Sequence, residues 1–420
     1  MASDAPRKVL VPIADGTEPM EAVITIDVLR RSGADVTVAS VASGLQVDAS
    51  WGLRLVADVL VSDCVGSAFD LVSLSAGVPG SANLRDCEAL EGLVRKIVSE
   101  GGIYAGICAA PAMILGSWGL LKGLQATCHP SQIEKMPADT TVVESRVARD
   151  GRCVTSRGPG TTMEFALELV EQLYGKEKAE EVAGPMLVST FPLHEDGQGI
   201  AKYEVFKVVA VVREVMYSYP ANLTVKELNS VSWTSNKTPQ ILVPIANGSE
   251  EMEATMIIDI LHRAKAKVVV ASVGEKLEIV ASRKVKIVAD MLLEEAAKLE
   301  YDLIVLPGGI GGAQEFASSE RLINLLKKQA ESGKPYGAIC ASPALVLEPH
   351  GLLKGKKATA YPAMCSKLSD QSEAENRVVI DGNLITSRGP GTSIEFALAI
   401  VEKFFGREKA MDLAKTLIFI

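Results

Sequence analysis

Two cysteines occupy positions where a strand-like run meets a helix-like run, a place in which a thiol can act as a nucleophile. Cys108 lies in IYAGICAAPAMIL (103–115), and Cys340 lies in the similar stretch PYGAICASPALVL (335–347). At such a corner the side chain points out of the sheet, toward the free N–H groups at the start of the next helix, which favour an anion. We therefore expect each thiol to lose its proton more readily than a free cysteine. The alternative is that both are buried structural thiols.

A carboxyl group is the partner that such a thiol needs for acid–base work, and acids follow the first strand-like run of each half. Glu18 lies in GTEPMEA, and Glu250 lies in GSEEMEA. We predict that these two acids lie beside the thiols. Glu21 and Glu253 lie one helical turn further on, where they could cap the helix or pair instead. The alternative for Glu18 is an acid that only suits the helix dipole.

A glycine turn supplies a third component. The sequence LPGGIGG (306–312) follows an apolar run and can present backbone N–H groups to a developing oxyanion. The first half reads LSAGVPG, so that Gly77 matches Gly309 while Ala76 replaces Gly308. A glycine-rich loop alone is often only a turn.

A candidate base appears in one half of the chain. His129 lies in ATCHPSQ, and Tyr361 takes its place in ATAYPAM. Because tyrosine replaces histidine there, we do not expect a Cys–His–acid triad in the second half. An isolated histidine is more often a surface residue, or a core residue with satisfied hydrogen bonds, than a catalytic base.

The chain repeats itself once. VLVPIADGTEPMEAVITIDVLRR returns as ILVPIANGSEEMEATMIIDILHR, and TSRGPGTTMEFAL returns as TSRGPGTSIEFAL. So long a period indicates two complete domains rather than a solenoid. We place these two copies at residues 7–183 and 239–416. The linker between them, 184–238, contains an apolar insert at 199–220 that matches neither copy and a later part that could form a small strand or turn.

Each copy alternates strand-like and helix-like runs, which predicts an α/β sandwich on a mainly parallel sheet. In the first copy the predicted strands are 9–13, 36–41, 70–74, 103–107 and 153–155, and the predicted helices are 19–31, 90–99, 109–115 and 163–174. Thr17 is the expected cap of the first helix. Sites in such sheets lie at the carboxyl ends of the strands. Residues 16–18, residues 76–80 and the cysteine corner should therefore converge.

The composition excludes several classes of protein. The chain has 420 residues, of which 48% are hydrophobic and 23% charged, as in a packed globular protein. A net charge of -9 argues against a nucleic-acid surface or a basic membrane-binding face. Seven cysteines without CxxC spacing indicate neither a disulfide framework nor a zinc site, and four histidines give metal ligation little support. We expect a cytoplasmic protein, with the nucleus open as a second location.

The combination of motifs resembles the DJ-1/PfpI family over nearly the whole chain outside the insert. The carriers of the resemblance are the GTEPMEA and GSEEMEA segments, the PGG turn, the AICA elbow and the TSRGPG run. Ala109 and Ala341 follow the cysteines where the protease-like branch carries histidine, so the DJ-1 subfamily is the better match. The duplicated form is similar to the plant homologues with two domains. The resemblance implies two flavodoxin-like domains, similar to class I glutamine amidotransferases and packed as a pseudo-dimer.

The resemblance also implies roles for individual residues. Cys108 and Cys340 match the reactive, oxidation-prone cysteine, and Glu18 and Glu250 match the protonated acid that hydrogen-bonds it. The remaining matches are the oxyanion donors Gly77, Ala109, Gly309 and Ala341, the accessory His129 with Tyr361 in its place, and the substrate-edge arginines Arg31, Arg263 and Arg283.

The implied activity is that of a glutathione-independent glyoxalase, which converts methylglyoxal or glyoxal to lactate or glycolate. The thiolate would attack the aldehyde, and the glutamate would move a proton through an enediol. No metal or organic cofactor is expected. Protein deglycase activity is implied as well, with the same cysteine, and further association into a homo-oligomer stays open. We predict that the second copy is the better catalyst because its PGG turn is intact.

Two alternatives remain open at this point. One is a redox-sensing or chaperone-like protein that acts through oxidation of the elbow cysteine. The other is a cysteine hydrolase, against which the missing histidine after each cysteine argues.

Overall fold

The computed structural model describes residues 5–188, 225–233 and 238–420. These residues divide into two compact units. The first unit contains residues 5–185 and 417–420, and the second contains 186–188, 225–233 and 238–416. The predicted apolar insert at 199–220 lies outside the described residues.

In its described residues the first unit has eleven strands, seven of which form one sheet. Its strands are β1 (Lys8–Ile13), β2 (Asp35–Ser40), β3 (Gln46–Asp48), β4 (Arg54–Val56), β5 (Val59–Leu60), β6 (Leu71–Leu74), β7 (Ile103–Ile107), β8 (Gln125–Ala126), β9 (Thr141–Val142), β10 (Val147–Asp150) and β11 (Cys153–Ser156). Its helices are α1 (Pro19–Arg31), α2 (Gly80–Arg85), α3 (Glu88–Ser99), α4 (Thr162–Tyr174) and α5 (Lys176–Met186), the last of which ends at the boundary of the unit. The strand order in the sheet is β10-β11-β7-β6-β1-β2-β5.

This sheet is mainly parallel, as the alternation of strands and helices predicted. β1 pairs in parallel with β2 and β6, and β7 pairs in parallel with β6 and β11. The antiparallel strand β10 lies at one edge. α1 packs against α4, while α3 packs against β6 and β7. The central strands are buried along their length, which is why they read as continuous apolar runs.

The second unit repeats this plan with an eight-stranded sheet. Its strands are β12 (Val225–Leu228), β13 (Gln240–Ile245), β14 (Lys267–Ser272), β15 (Glu278–Val280), β16 (Lys286–Val288), β17 (Met291–Leu292), β18 (Leu303–Leu306), β19 (Tyr336–Ile339), β20 (Val378–Asp381) and β21 (Leu384–Ser387). Its helices are α6 (Glu251–Arg263), α7 (Leu293–Ala296), α8 (Ile310–Ser318), α9 (Glu320–Glu331), α10 (Ser393–Phe405) and α11 (Arg407–Thr416). The strand order is β12-β20-β21-β19-β18-β13-β14-β17.

The later part of the linker belongs to this second sheet. β12 pairs in parallel with β20 at the sheet edge, which confirms the small strand expected there. Trp233 follows it, and its indole N–H donates to the carbonyl of Gly382 at 3.0 Å. The Trp233 ring lies 5.5 Å from that of Phe404, centre to centre. These contacts fix the segment to the second unit.

The local predictions hold for most elements, with two corrections at helix starts. α1 has the predicted bounds, whereas α3 begins at Glu88 rather than at residue 90. The predicted cap Thr17 is wrong, because its hydroxyl accepts the Ala14 N–H at 2.8 Å and Glu18 caps α1 instead. The helix expected at 109–115 is a π-helical turn at Pro111–Leu115. Such turns are frequent at functional sites.

In the described parts of the chain, the helices are too short or too polar to cross a bilayer.

Candidate active site

Each cysteine lies at the sharp corner that the sequence predicted. Cys108 follows β7 with a φ of 61°, and Cys340 follows β19 with a φ of 65°. The Cys108 N–H donates to the carbonyl of Ser156 at 3.0 Å, and the Cys340 N–H donates to that of Ser387 at 2.9 Å. Because a left-handed backbone costs an ordinary residue roughly 1–2 kcal/mol, the surrounding structure must hold it in place.

The carbonyl of each cysteine is held as well. The His129 N–H donates to the Cys108 carbonyl at 2.8 Å, and the Tyr361 N–H donates to the Cys340 carbonyl at 2.7 Å. Both backbone groups of each elbow residue are therefore bonded, and the side chain is the part left to do chemistry.

Glu18 and Glu250 lie near enough to the thiols for their charges to raise the thiol pKa, but each serves as a helix cap. The Glu18 carboxylate accepts the Glu21 N–H at 2.7 Å, and the Glu250 carboxylate accepts the Glu253 N–H at 2.7 Å. Each is the N-cap of its helix, with an extended backbone that turns the carboxylate toward the free N–H groups of the first turn. Their role as hydrogen-bond partners of the thiols stays a prediction.

Glu21 and Glu253 act on the thiols more strongly. Of the acids near each elbow cysteine, they have the larger effect on the pKa of its thiol, through charge and hydrogen bonding. Both side chains are 0% exposed. The Glu21 carboxylate also accepts the Ala76 N–H at 2.7 Å, and the Glu253 carboxylate accepts the Gly308 N–H at 2.7 Å. Each acid thus joins the glycine turn to the thiol, and the three predicted strand-end segments do converge.

Gly77 and Gly309 occupy positions that only glycine fits. Their φ angles are 119° and 85°. A Cβ on Gly77 would lie 2.0 Å from the carbonyl oxygen of Gly16, and a Cβ on Gly309 would lie 2.3 Å from that of Gly248. The turn is therefore pressed against the loop that precedes the first helix, which fixes the direction of its N–H groups.

His129 and Tyr361 lie at matching places, beside the glycine of each TSRGPG run. The His129 ring would be 3.4 Å from a Cβ on Gly158, and the Tyr361 ring would be 3.5 Å from a Cβ on Gly389. A Cβ on Gly389 would also lie 3.9 Å from Oε1 of Glu253, so the TSRGPG run of the second copy lies close to this acid. The TSRGPG run was not expected at the site, although its near-identical repetition in the sequence was a signal that could have found it.

The His129 ring is engaged in its own turn. Its Nδ1 lies 2.8 Å from the Ser131 hydroxyl and accepts the Ser131 N–H at 3.2 Å. The ring therefore caps the turn Pro130–Lys135. Its role as an accessory base stays a prediction.

The three arginines lie on helix ends and on a loop. Arg31 and Arg263 end α1 and α6 and form ion pairs with Asp27 and Asp259, one turn back on the same helices. Arg283 lies exposed between β15 and β16. Their place at the edge of a substrate stays a prediction.

Burial and charge raise the pKa of the Cys108 thiol well above its ordinary value. Burial is the largest cause, followed by the charge and hydrogen bond of Glu21 and then by the charge of Glu18. The N–H of Ala109 lowers the pKa but does not offset them.

The Cys340 thiol has a raised pKa for the same reasons. Burial comes first, then the charges of Glu253 and Glu250, and the opposing donor is the N–H of Gly309. The expected low thiol pKa is therefore wrong in both copies. The N–H groups at the corner are present, but burial and two adjacent carboxylates outweigh them.

The model of the DJ-1/PfpI family matches residues 7–172 and 239–403. The chain belongs to the DJ-1/PfpI family. Each of its two matched segments is a flavodoxin-like α/β domain, and the second domain follows the first in tandem.

Three DJ-1 relatives show how far the similarity extends. Protein DJ-1 homolog B of Arabidopsis thaliana is 62% identical over 413 residues, which are 98% of this chain and 88% of that protein. Protein DJ-1 homolog A of the same plant is 56% identical over 410 residues, which are 97% of this chain and 98% of that protein. The glutathione-independent glyoxalase DJR-1.2 of Caenorhabditis elegans is 34% identical over 190 residues, which are 45% of this chain and 100% of that protein. The two-domain arrangement is thus matched along nearly the full length of plant proteins.

In this DJ-1/PfpI chain, the thiol and the acid of each copy are buried together, so a second negative charge on the pair is disfavoured. We therefore expect the two groups to share one proton. When that proton lies on Glu253, Cys340 is a thiolate nucleophile beside a carboxylic acid. When it lies on the sulfur, a carboxylate base lies beside a thiol. One pair can therefore both attack a carbon and move a proton.

We expect Glu253→Gln to speed alkylation of Cys340 by iodoacetamide at pH 7. The substitution removes the nearest negative charge, so the pKa of the thiol falls and more thiolate is present. The rates at Cys340 and Cys108 are to be measured separately by mass spectrometry of the two peptides. Cys108 in the same molecule is the control and should keep its rate. Slower alkylation of Cys340 in the variant would contradict this electrostatic account.

Proposed function

We propose that this protein is a glutathione-independent glyoxalase that converts methylglyoxal or glyoxal to lactate or glycolate. The observation that carries the proposal is a cysteine at a left-handed elbow, beside a carboxyl group that is 0% exposed, built twice in the chain. The name of the Caenorhabditis elegans relative gives independent support.

The first step is addition of the sulfur to the aldehyde. With the shared proton on Glu253, the Cys340 thiolate attacks the aldehyde carbon and forms a carbon–sulfur bond. The electron pair of the C=O bond moves to its oxygen, which takes the proton from Glu253. The product is a hemithioacetal, and Glu253 is left as a carboxylate. The N–H of Gly309, which already faces the sulfur, is placed to stabilise the developing oxyanion.

The second step moves hydrogen between the two carbons. The Glu253 carboxylate removes the proton from the former aldehyde carbon, the C–H electron pair forms the carbon–carbon double bond, and the neighbouring carbonyl oxygen takes a proton from a water molecule, which gives an enediol and hydroxide. Glu253 then returns its proton to the second carbon while the hydroxyl on the first carbon gives its proton to that hydroxide, which restores the water and leaves a thioester. One carbon is oxidised and the other reduced, so the step needs no outside oxidant. A positioned acid–base group of this kind contributes about 10²–10⁴-fold to a rate.

The last step is hydrolysis of the thioester. Water adds to the carbonyl carbon, the carbon–sulfur bond breaks, and the 2-hydroxy acid leaves. The sulfur and Glu253 again share one proton. Cys108 and Glu21 carry the same groups in the first copy. We propose that the same cysteines act in protein deglycation, and that the protein serves defence against carbonyl and oxidative stress in the cytoplasm and the nucleus.

Lactate formation from methylglyoxal without glutathione tests the proposal. The intact protein should produce lactate at a rate proportional to its concentration, and added glutathione should not be required. Lactate that forms only when glutathione is present would contradict it.

A redox-sensing role is the second candidate, because the groups that face the sulfur would also bind a sulfinate. A protonated Glu253 and the Gly309 N–H could each donate to a sulfinate oxygen on Cys340. Peroxide titration with mass spectrometry of the two cysteine peptides separates the candidates. Sulfinate at low peroxide in a protein that forms no lactate would favour the sensor.

A further inference from the structure

The space between the turn and the elbow in the second copy is too small for any side chain on residue 308. A Cβ on Gly308 would lie 2.5 Å from Cβ of Cys340, 2.6 Å from Oε2 of Glu253 and 3.0 Å from the carbonyl oxygen of Ile339. Carbon atoms in ordinary contact lie about 3.5–4.0 Å apart. The backbone of Gly308 is not in the left-handed region, so this contact, rather than its φ angle, is what requires glycine.

The first copy places a methyl group at this position. Ala76 keeps the same backbone anchors, because its N–H donates to Glu21 at 2.7 Å and its carbonyl accepts the Glu18 N–H at 2.7 Å. The corresponding bonds of Gly308 measure 2.7 and 2.9 Å. Ala76 is 0% exposed. Since the anchors are matched, the added methyl must separate the turn from the elbow by roughly 1 Å more than in the second copy.

Different backbone donors act on the thiol in the two copies. The N–H of Gly309, which belongs to the turn, lowers the pKa of Cys340, whereas the N–H of Ala109, which belongs to the elbow itself, lowers that of Cys108. This difference is the one expected if the methyl of Ala76 keeps the first sulfur away from the turn.

We propose that residue 76 or 308 is the positioning residue that decides whether the sulfur contacts the turn, so that the two copies hold sites of different thiol chemistry. Glycine lets Cys340 lie against the turn, between the Gly309 N–H and Glu253. Alanine holds Cys108 toward its own helix. The catalytic consequence rests on the glyoxalase proposal, and the difference in the thiols does not.

Reciprocal exchange of the two residues tests this inference. In the full chain, Gly308→Ala should raise the midpoint of the pH profile for alkylation of Cys340 by iodoacetamide, because a thiolate would lose one N–H donor. Ala76→Gly should lower the midpoint for Cys108. We expect each shift to be about one pH unit, the size of one hydrogen bond to a charged group. In the Cys108→Ser background, where only the second site can act, Gly308→Ala should lower methylglyoxal turnover roughly tenfold. In the Cys340→Ser background, Ala76→Gly should raise the turnover of the first site.

A denaturant titration reports whether a variant has simply lost its fold. Cys153, which is 1% exposed, should in addition resist alkylation while the first unit is folded. If Gly308→Ala no longer unfolds cooperatively, the shift in Ala76→Gly, which only removes a methyl group, decides alone. Unchanged midpoints in folded variants would overturn the inference. Shifted midpoints in a protein that forms no lactate would keep it and reject the glyoxalase proposal.

Discussion

Replacing Glu21 and Glu253 together by glutamine should lower methylglyoxal turnover roughly a hundredfold or more. Both side chains are 0% exposed and lie beside the thiols, where they have the largest effect of any acid on the thiol pKa, so they are the acids that can exchange a proton with sulfur and substrate. Glutamine keeps the size and the hydrogen-bonding reach of the side chain but cannot carry the proton. The measurement is kcat for lactate formation without glutathione, on protein whose folding is checked by denaturant titration.

The matched control is the double variant Glu18→Gln and Glu250→Gln. These residues cap α1 and α6, and glutamine keeps a side-chain oxygen that can accept the same N–H but removes the charge, which costs at most about 1 kcal/mol. Their charges also act on the thiol pKa, so we expect a change in turnover, but one much smaller than in the Glu21 and Glu253 variants. If the cap variants lose turnover and the Glu21 and Glu253 variants keep it, the sequence-based choice of acid was right and the geometry has been misread.

Removing the second thiol should cost more turnover than removing the first. The N–H of Gly309 in an intact PGG turn lowers the pKa of Cys340, whereas Ala76 adds a methyl group to the turn beside Cys108. We expect Cys340→Ser to retain about a tenth of wild-type turnover or less, because serine is a far weaker nucleophile at the same place. Cys108→Ser should retain most of it. Each variant is to be assayed as the full chain, so that the other copy supplies the comparison.

The ranking of the two copies has a clear contrary outcome. Full turnover in Cys340→Ser, with none in Cys108→Ser, would show that the first copy is the catalyst. The alkylation rate of the remaining thiol in each variant then shows whether low turnover comes from an unreactive thiol or from poor contacts with the substrate.

Much of the fold could be predicted because local pattern and tertiary role agree. The bounds of α1 follow from apolar spacing between a proline start and a basic last turn, and the structure has the same bounds. The strand that ends at Cys108 is a short apolar run cut off by small residues. Both patterns occur again in the second copy, which supports the predicted helix and the predicted elbow independently. The elbow could therefore be predicted from the sequence alone.

The choice between Glu18 and Glu21 could not be made in the same way. Both are acids at the start of one helix, and both suit its positive end. Which of them faces the thiol depends on how the helix is set against the strand ends, which is a tertiary property. The extended backbone at Glu18 directs its carboxylate to the helix N–H groups, and the next turn brings Glu21 over the Ala76 N–H.

The thiol pKa was misjudged for a related reason. The sequence shows the local donors at the corner of Cys108 but not the burial around it. Folding adds the desolvation of the sulfur and the charges of Glu21 and Glu18, and these raise the pKa. What the sequence could not supply was the environment that packing brings to the sulfur.

The most direct measurement is the rate of lactate formation from methylglyoxal, without glutathione, by the wild-type chain beside the double variant Cys108→Ser and Cys340→Ser. The account predicts steady turnover by the wild type and only the rate of the protein-free control in the double variant. Equal rates in the two proteins, with both folded, would contradict the claim that the elbow thiols carry the chemistry.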